Sequence, residues 1–267
     1  SPETHTSDDA LKSVRVDTTA PQVSTVTFAS SNLSSDPDYS DALLAKADDT
    51  LRFSFTTDER VEGVEVKING SSYSAMDMGS GTSWQAEHTL TSSESAETVE
   101  FEITSFSDPS GNDLASPETH TSDDALKSVR VDTTAPQVST VTFASSNLSS
   151  DPDYSDALLA KADDMVTLSF TTDERVDGVE VTINGSSYSA MDMGSGISWE
   201  AQHRVSSGGD AETVEFEITS FSDPSGNDLA SPETHTSDDN MKSVRVDTTA
   251  PQVSTVTFAS SNTSSDP

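Results

Sequence analysis

Val16–Val23 reads VDTTAPQV, and the same eight residues recur at Val131–Val138 and Val246–Val253, each time 115 residues on. An aspartate stands between two strand-like runs, followed by Thr-Thr-Ala-Pro. Proline fixes its own φ and pushes the residue before it toward an extended conformation, so Ala20-Pro21 reads as the stiff start of a first strand. The spacing leaves room for two whole units, residues 17–131 and 132–246. Residues 1–16 match the end of a unit and 247–267 the beginning of one, an orphan last strand and an orphan first strand whose partners are expected outside their own chain. The piece reads as internal to a longer array.

The two whole units differ at 17 of 115 positions with no insertion, so they are near-duplicates. A unit of this size can bury its own core, whereas solenoid repeats of 20–50 residues cannot. Within 17–131, apolar residues alternate in Ser24–Phe28, Leu51–Phe55, Val64–Ile68, Val99–Ile103 and Val129–Val131. Each run reads as a strand with one buried and one wet face. Asn69-Gly70, between Val66-Lys-Ile68 and Ser71-Ser-Tyr73, is a two-residue hairpin signal, because both residues tolerate positive φ. Trp84 lies in a further strand-like run, 83–91, and reads as core. The best helical candidate is the short segment Ser40–Lys46, in a long loop. Seven or so strands in such a length predict an all-β fold, tandem immunoglobulin-like sandwiches arranged as an extended rod.

The formal charge is −34, from 47 acidic and 13 basic side chains, and hydrophobic residues make up 31%. A surface of that sign repels nucleic acid and anionic lipid, and attracts divalent cations. Cysteine is absent, which excludes disulfides and thiolate metal sites. No apolar run approaches the ~20 residues needed to span a bilayer, so direct membrane insertion is not expected.

Three stretches carry a resemblance: the linker VDTTAPQV, the segment DALLAKADDTLRFSFTTDE at 41–59, and the loop SDPSGND at 107–113. Together they resemble the bacterial Ig-like repeats of very large surface adhesins, closest to the extender domains of RTX-type, type I-secreted adhesins. The resemblance spans the whole unit in both copies. This chain has Ala47-Asp48-Asp49 where many such repeats carry Ala-Gly-Asp. The resemblance implies an extracellular, bacterial cell-surface stalk that serves cell adhesion or biofilm formation, with adjacent repeats of the same chain as its partners.

Strand alternation decides at which end each loop emerges. Asp58, Glu59 and the loop with Asp108, Asn112 and Asp113 should lie at the end that carries Asp17. The long first loop, with Asp36, Asp38, Asp41, Asp48 and Asp49, should lie at the other end, toward Asp132. At that junction Asp132 is expected among five or more carboxylates, drawn from the first unit's long loop and from Asp173, Glu174, Asp223 and Asp228 with Asn227. Asp247 repeats the pattern. Calcium takes six to eight oxygens at flexible angles, which suits such loops, whereas zinc asks for His or Cys at tetrahedral spacing. Asp36-Pro-Asp38-Tyr-Ser-Asp41 is a second candidate within one unit, although it lacks the glycine and terminal glutamate of an EF-hand loop. Catalysis is not expected. The histidines fall into repeat-equivalent sets, His5, His120 and His235 in a polar loop and His88 and His203 in a strand, with no nucleophile elbow beside them. Met78-Gly-Ser-Gly81 lacks the lysine and helix of a phosphate loop, and no small-molecule substrate is expected. The alternative function is an Ig-like module that itself binds a glycan or host protein through its loops, against which stands the scarcity of aromatics in those loops.

Overall fold

The computed structural model describes residues 14–34, 43–94, 98–122, 129–149, 158–208, 214–237 and 244–261. The chain divides into two compact units. One comprises Ser1–Gln137, Glu174–Gly178 and Phe221–Ala230; the other comprises Val138–Asp173, Val179–Ser220 and Ser231–Pro267. The two short segments come from the second repeat, so these divisions do not follow the repeat boundaries of the sequence.

Among its described residues the first repeat holds ten strands: β1 (Val23–Ser30), β2 (Leu43–Ala45), β3 (Thr50–Thr57), β4 (Glu62–Ile68), β5 (Ser71–Ser74), β6 (Met76–Asp77), β7 (Ser83–Thr89), β8 (Glu100–Ser107), β9 (Glu118–Thr121) and β10 (Val129–Val131). They form a sheet of order β1-β3-β7-β6, a second of order β5-β4-β8-β9, and a parallel pair of β2 with β10. The two larger sheets close face to face on one core. From the first sheet come Phe28, Phe53, Phe55 and Trp84, and from the second Val66, Ile68, Phe101, Ile103 and Phe106. Phe53 stacks on Phe101 with ring centroids 4.7 Å apart, and Phe28 tilts against the same ring at 5.1 Å. This is an all-β, Ig-like sandwich with alternating faces, as period-two patterning demands. The second repeat runs through the same series, β11 (Val138–Ser145), β12 (Leu158–Ala160), β13 (Met165–Thr172), β14 (Asp177–Ile183), β15 (Ser186–Ser189), β16 (Met191–Asp192), β17 (Ser198–Arg204), β18 (Glu215–Ser222), β19 (Glu233–Thr236) and β20 (Val244–Val246), with sheets β11-β13-β17-β16 and β15-β14-β18-β19 and the parallel pair β12-β20.

The Asn69-Gly70 turn is the predicted one. Both residues have positive φ, 46° and 79°, and Ile68 pairs with Ser71 across it. Trp84 is buried at 7% exposure. Three short strands exceed the seven runs legible in the sequence: β2, β6 and β9. Leu43–Ala45, inside the segment read as helical, is β2, because the backbone of Val129–Val131 offers it a parallel partner. His120 sits on strand β9 opposite Phe101, not in a loop. Asp48, at the departure from Ala-Gly-Asp, has φ 70°, a left-handed conformation that favours glycine.

Residues 247–261 form no strand, and Phe258 is 96% exposed while its repeat equivalents Phe28 and Phe143 are 5% and 4% exposed. Val14 and Val16 are likewise exposed, whereas Val129 and Val131 are buried. Among the described residues of one chain, neither end has the neighbour that β1 finds in β3 or β10 finds in β2. Among the described residues there is no helix long and apolar enough to cross a membrane.

Candidate functional site

The loop Asp108-Pro-Ser-Gly-Asn112 is built around one carboxylate. Asp108 Oδ1 accepts the Ser110 and Asn112 amides, both at 2.8 Å, and Oδ2 accepts Asn112 Nδ2 at 2.8 Å. Gly111 turns the chain at φ 91° and donates its amide to the Asp108 carbonyl. Asn112 Nδ2 also reaches the Asp17 carbonyl at 3.2 Å, which ties the linker to the loop. The Asp17 carboxylate accepts the Thr19 amide. Thr57 Oγ1 donates to the Glu59 carbonyl at 2.6 Å and shapes the turn that presents Glu59.

The outcome is a group of three carboxylates, Asp17, Glu59 and Asp108, with one oxygen from each lying within 4.8 Å of the others. The second repeat builds the same group from Asp132, Glu174 and Asp223. There Asn227 Nδ2 donates to the Asp132 carbonyl and to Asp223 Oδ2, both at 2.8 Å. Both groups draw on one repeat's own loops, at the end where that repeat begins. Every donor atom is oxygen, so the set suits a hard cation of variable coordination and offers a thiophilic or imidazole-seeking metal nothing.

Burial and mutual repulsion act on the carboxyls of both groups. Desolvation raises the Glu59 carboxyl above its ordinary value, and the negative charges of Asp17, Asp108 and Asp58 add to the rise. At Asp108 the Asn112 side chain, with the amides of the loop, holds the carboxyl below its ordinary range despite desolvation. Its equivalent Asp223 moves the other way: desolvation pushes it up, and the charge of Asp132 adds to that. The covering explains the difference, since Ser225 is 3% exposed in this second loop whereas Ser110 is exposed in the first.

Other residues expected at the site are placed elsewhere. Asp58 exchanges hydrogen bonds with Gln22, its amide donating to the Gln22 carbonyl and its Oδ1 accepting the Gln22 amide at 2.8 Å. Asp113 and Asp228 each accept a serine hydroxyl at 2.6 Å, from Ser107 and Ser222. Asp173 stands beside Glu174 in sequence but outside the three-carboxylate group. Asp247 caps its own turn through the Thr249 amide. Asp36, Asp38 and Asp41 lie outside the described residues. Among the described residues the group at Asp132 brings three carboxylates within 4.8 Å of one another, Asp132, Glu174 and Asp223. The carboxylate of Asp49 is engaged too, by Lys46 N at 2.8 Å, Asn32 Nδ2 at 3.1 Å and Ser31 Oγ at 3.3 Å.

Two features were not legible in the sequence. Asp77 Oδ1 gathers the amides of Gly79, Ser80 and Gly81, which close the Met78–Gly81 loop and hold that carboxyl below its ordinary value. Glu94 accepts from Asn69 Nδ2, the Thr91 amide and the Thr91 hydroxyl, and its Oε1 lies 2.8 Å from His88 Nε2. Desolvation opposes its ionisation, but these bonds together bring its pKa to about 2. The second repeat has Gly209 at the equivalent position.

No family model matches this chain, and no curated protein matches it. Among solved structures it is similar to the fibronectin(III)-like modules of CbhA from Clostridium thermocellum, at 12% identity and a TM-score of 0.29, covering 83% of this chain and 94% of that one. It is also similar to Rst D1-D2, at 6% identity and a TM-score of 0.34, covering 86% and 100%. A third is the I9-I11 tandem of titin, at 11% identity and a TM-score of 0.30, covering 78% and 64%. All three fall far below the identity at which function transfers. The class of protein is the one its own sheets define, a tandem of Ig-like sandwiches.

Proposed function

We propose that this chain is an extender segment from the stalk of a bacterial surface adhesin, which holds a distal binding domain away from the cell and is stiffened by calcium where each repeat begins. The observation that carries the reading is the repeated group of three carboxylates beside the linker aspartate, Asp17 with Glu59 and Asp108, and Asp132 with Glu174 and Asp223. The linker is tied into that group through its own backbone, since Asn112 and Asn227 hold the Asp17 and Asp132 carbonyls. Calcium bound by these oxygens would supply charge neutralisation and several bonds to otherwise separate segments. The protein's own part is to present the oxygens: the Asx-built loop aims one carboxylate, the turn after β3 a second, and the linker a third. Neutralising them removes a repulsion that otherwise favours a flexing linker. The acidic surface, the tandem near-duplicates and the resemblance to extender domains support a mechanical, extracellular role with adjacent repeats as partners.

Small-angle scattering of the chain in calcium and in chelator tests this, alongside calorimetric titration with calcium. The expected results are a longer maximum dimension in calcium and saturable binding that the double variant Asp132→Asn, Asp223→Asn weakens. An unchanged dimension with no heat of binding would refute it.

A further inference from the structure

The hairpin turns Asn69-Gly70 and Asn184-Gly185 hold the only two asparagines of this chain that precede glycine. Residues 183–196 repeat residues 68–81 without a difference, so both turns have the same local sequence. An Asn-Gly pair carries a latent reaction of its own. The backbone nitrogen of the glycine can attack the asparagine Cγ, and with no Cβ on the glycine nothing crowds the approach. Both turns are exposed, and a Cβ built on either glycine would meet no atom within 4 Å. The Gly70 and Gly185 amides have no hydrogen-bond partner among the described residues.

The fold treats the two asparagine side chains differently. Each gives its Oδ1 to a backbone amide: Asn69 accepts from Glu100 at 3.1 Å and Asn184 from Glu215 at 3.0 Å. Asn69 Nδ2, the leaving group of the reaction, also donates to Glu94 Oε1 at 2.8 Å. Glu94 is itself anchored by the Thr91 amide and hydroxyl and by His88 Nε2. The second repeat has Gly209 in place of Glu94, and Asn184 Nδ2 has no partner among the described residues. Tyr188 is 42% exposed there, whereas Tyr73 is half-buried with its hydroxyl 3.3 Å from His88 Nδ1.

We propose that Asn184-Gly185 is a self-modifying site, which converts slowly to aspartate and isoaspartate with water as its only co-reactant, and that Glu94 protects Asn69-Gly70 from the same reaction. The Gly185 nitrogen gives up its proton and bonds to Asn184 Cγ. The Cγ–Nδ2 bond breaks, and Nδ2 leaves as ammonia with that proton. Water then opens the cyclic imide. Cleavage of the new N–Cγ bond leaves aspartate, cleavage of the Asn184 peptide C–N bond leaves isoaspartate, and nothing is oxidised or reduced. To react, Asn69 must abandon a charge-assisted hydrogen bond that Asn184 does not make, which should slow it about tenfold or more. Either product adds a carboxylate to the turn. Isoaspartate also lengthens the backbone by a methylene, in a turn across which Ile183 pairs with Ser186. β15 is an edge strand bonded only to β14, so the change loosens a hairpin rather than the core. None of the carboxylates proposed to hold calcium takes part, so the site stands or falls independently of that reading.

Incubation of the full chain in heavy-oxygen water at mildly alkaline pH, followed by peptide mapping with mass spectrometry, tests this, because the water that opens the imide leaves its oxygen in the product. In denaturant the two turns should take up label at the same rate, since their local sequences match. In the folded chain the Asn184 peptide should take up label and divide into aspartate and isoaspartate forms, with Asn69 slower by about tenfold or more. Glu94→Gly should bring Asn69 to the rate of Asn184. Thr91→Ala removes another of the bonds that anchor Glu94, but not the one to Asn69, and serves as the control for general loosening; Asn69 should stay slow in it. The proposal is overturned if Asn184 stays unlabelled in the folded chain while the denatured chain reacts, or if the two asparagines react equally when folded. It is also overturned if Glu94→Gly leaves Asn69 slow, or if Thr91→Ala speeds Asn69 as much as Glu94→Gly does.

Discussion

Replacing Asp132 by Asn should stabilise the protein in chelator and destabilise it relative to wild type in calcium. One oxygen of Asp132 lies within 4.8 Å of one from Glu174 and one from Asp223. At that separation each pair of unit charges repels by about 0.9 kcal/mol in water, so removing Asp132 relieves about 1.7 kcal/mol across two pairs. Screening at ~0.15 M salt, with a Debye length of about 8 Å, reduces this to about 1 kcal/mol. Asparagine keeps the one hydrogen bond the carboxylate makes locally, since its own Oδ1 can accept the Thr134 amide, now at 2.9 Å. In calcium the sign turns. A site at 100 times its Kd gains about 2.7 kcal/mol of stability from the bound ion, and loss of a carboxylate ligand forfeits much of that. Urea unfolding followed by Trp199 fluorescence, in a Trp84→Phe background, reads the change, because Trp199 is 6% exposed and shifts on unfolding. A variant less stable than wild type in chelator, or one whose effect has the same sign in both buffers, would refute the electrostatic reasoning.

Asp48→Gly should stabilise the first repeat by up to about 1 kcal/mol in thermal unfolding, since glycine takes the left-handed conformation without a Cβ clash. The gain at Asp163→Gly should be no larger, because Asp163 also pairs with Arg204 at 3.1 Å. Glu94, with its folded pKa depressed to about 2 from 4.5, contributes stability that is present above pH 4.5 and lost as pH falls toward 2. After discounting for partial exposure this amounts to about 1 kcal/mol, so Glu94→Gly should flatten the acid limb of the first repeat's unfolding curve. Phe53→Ala empties the centre of the Phe28, Phe55 and Phe101 cluster and should cost about 3–5 kcal/mol, seen as loss of the first repeat's cooperative unfolding in urea.

Much of the fold was legible because its signals are local. Period-two alternation is written into neighbouring residues, and so is the Asn69-Gly70 turn, whose positive φ values follow from the two residue types themselves. The convergence of Asp17, Glu59 and Asp108 was also readable, because alternating strand directions decide which loops share an end. β2 was not. Leu43–Ala45 has no alternation and becomes a strand only because Val129–Val131, distant in sequence, presents a free backbone edge. Strand β9 is polar throughout and gains its register from Phe101 and its neighbours on β8.

The same division holds at the candidate site. Sequence alone determined that acidic loops recur every 115 residues, flanking a linker aspartate and lacking the residues of a thiolate or imidazole metal site. Tertiary structure alone decided which carboxylates are left to one another. Asp58 is taken by Gln22, Asp113 by Ser107 and Asp49 by Lys46, Asn32 and Ser31, while Glu59 is left facing Asp17 and Asp108. The physical reason is that folding sets both the donors a carboxylate meets and the carboxylates it faces: Asp108 accepts three hydrogen bonds from its own loop and still faces Asp17 and Glu59, while Asp58 is turned to Gln22, 36 residues away.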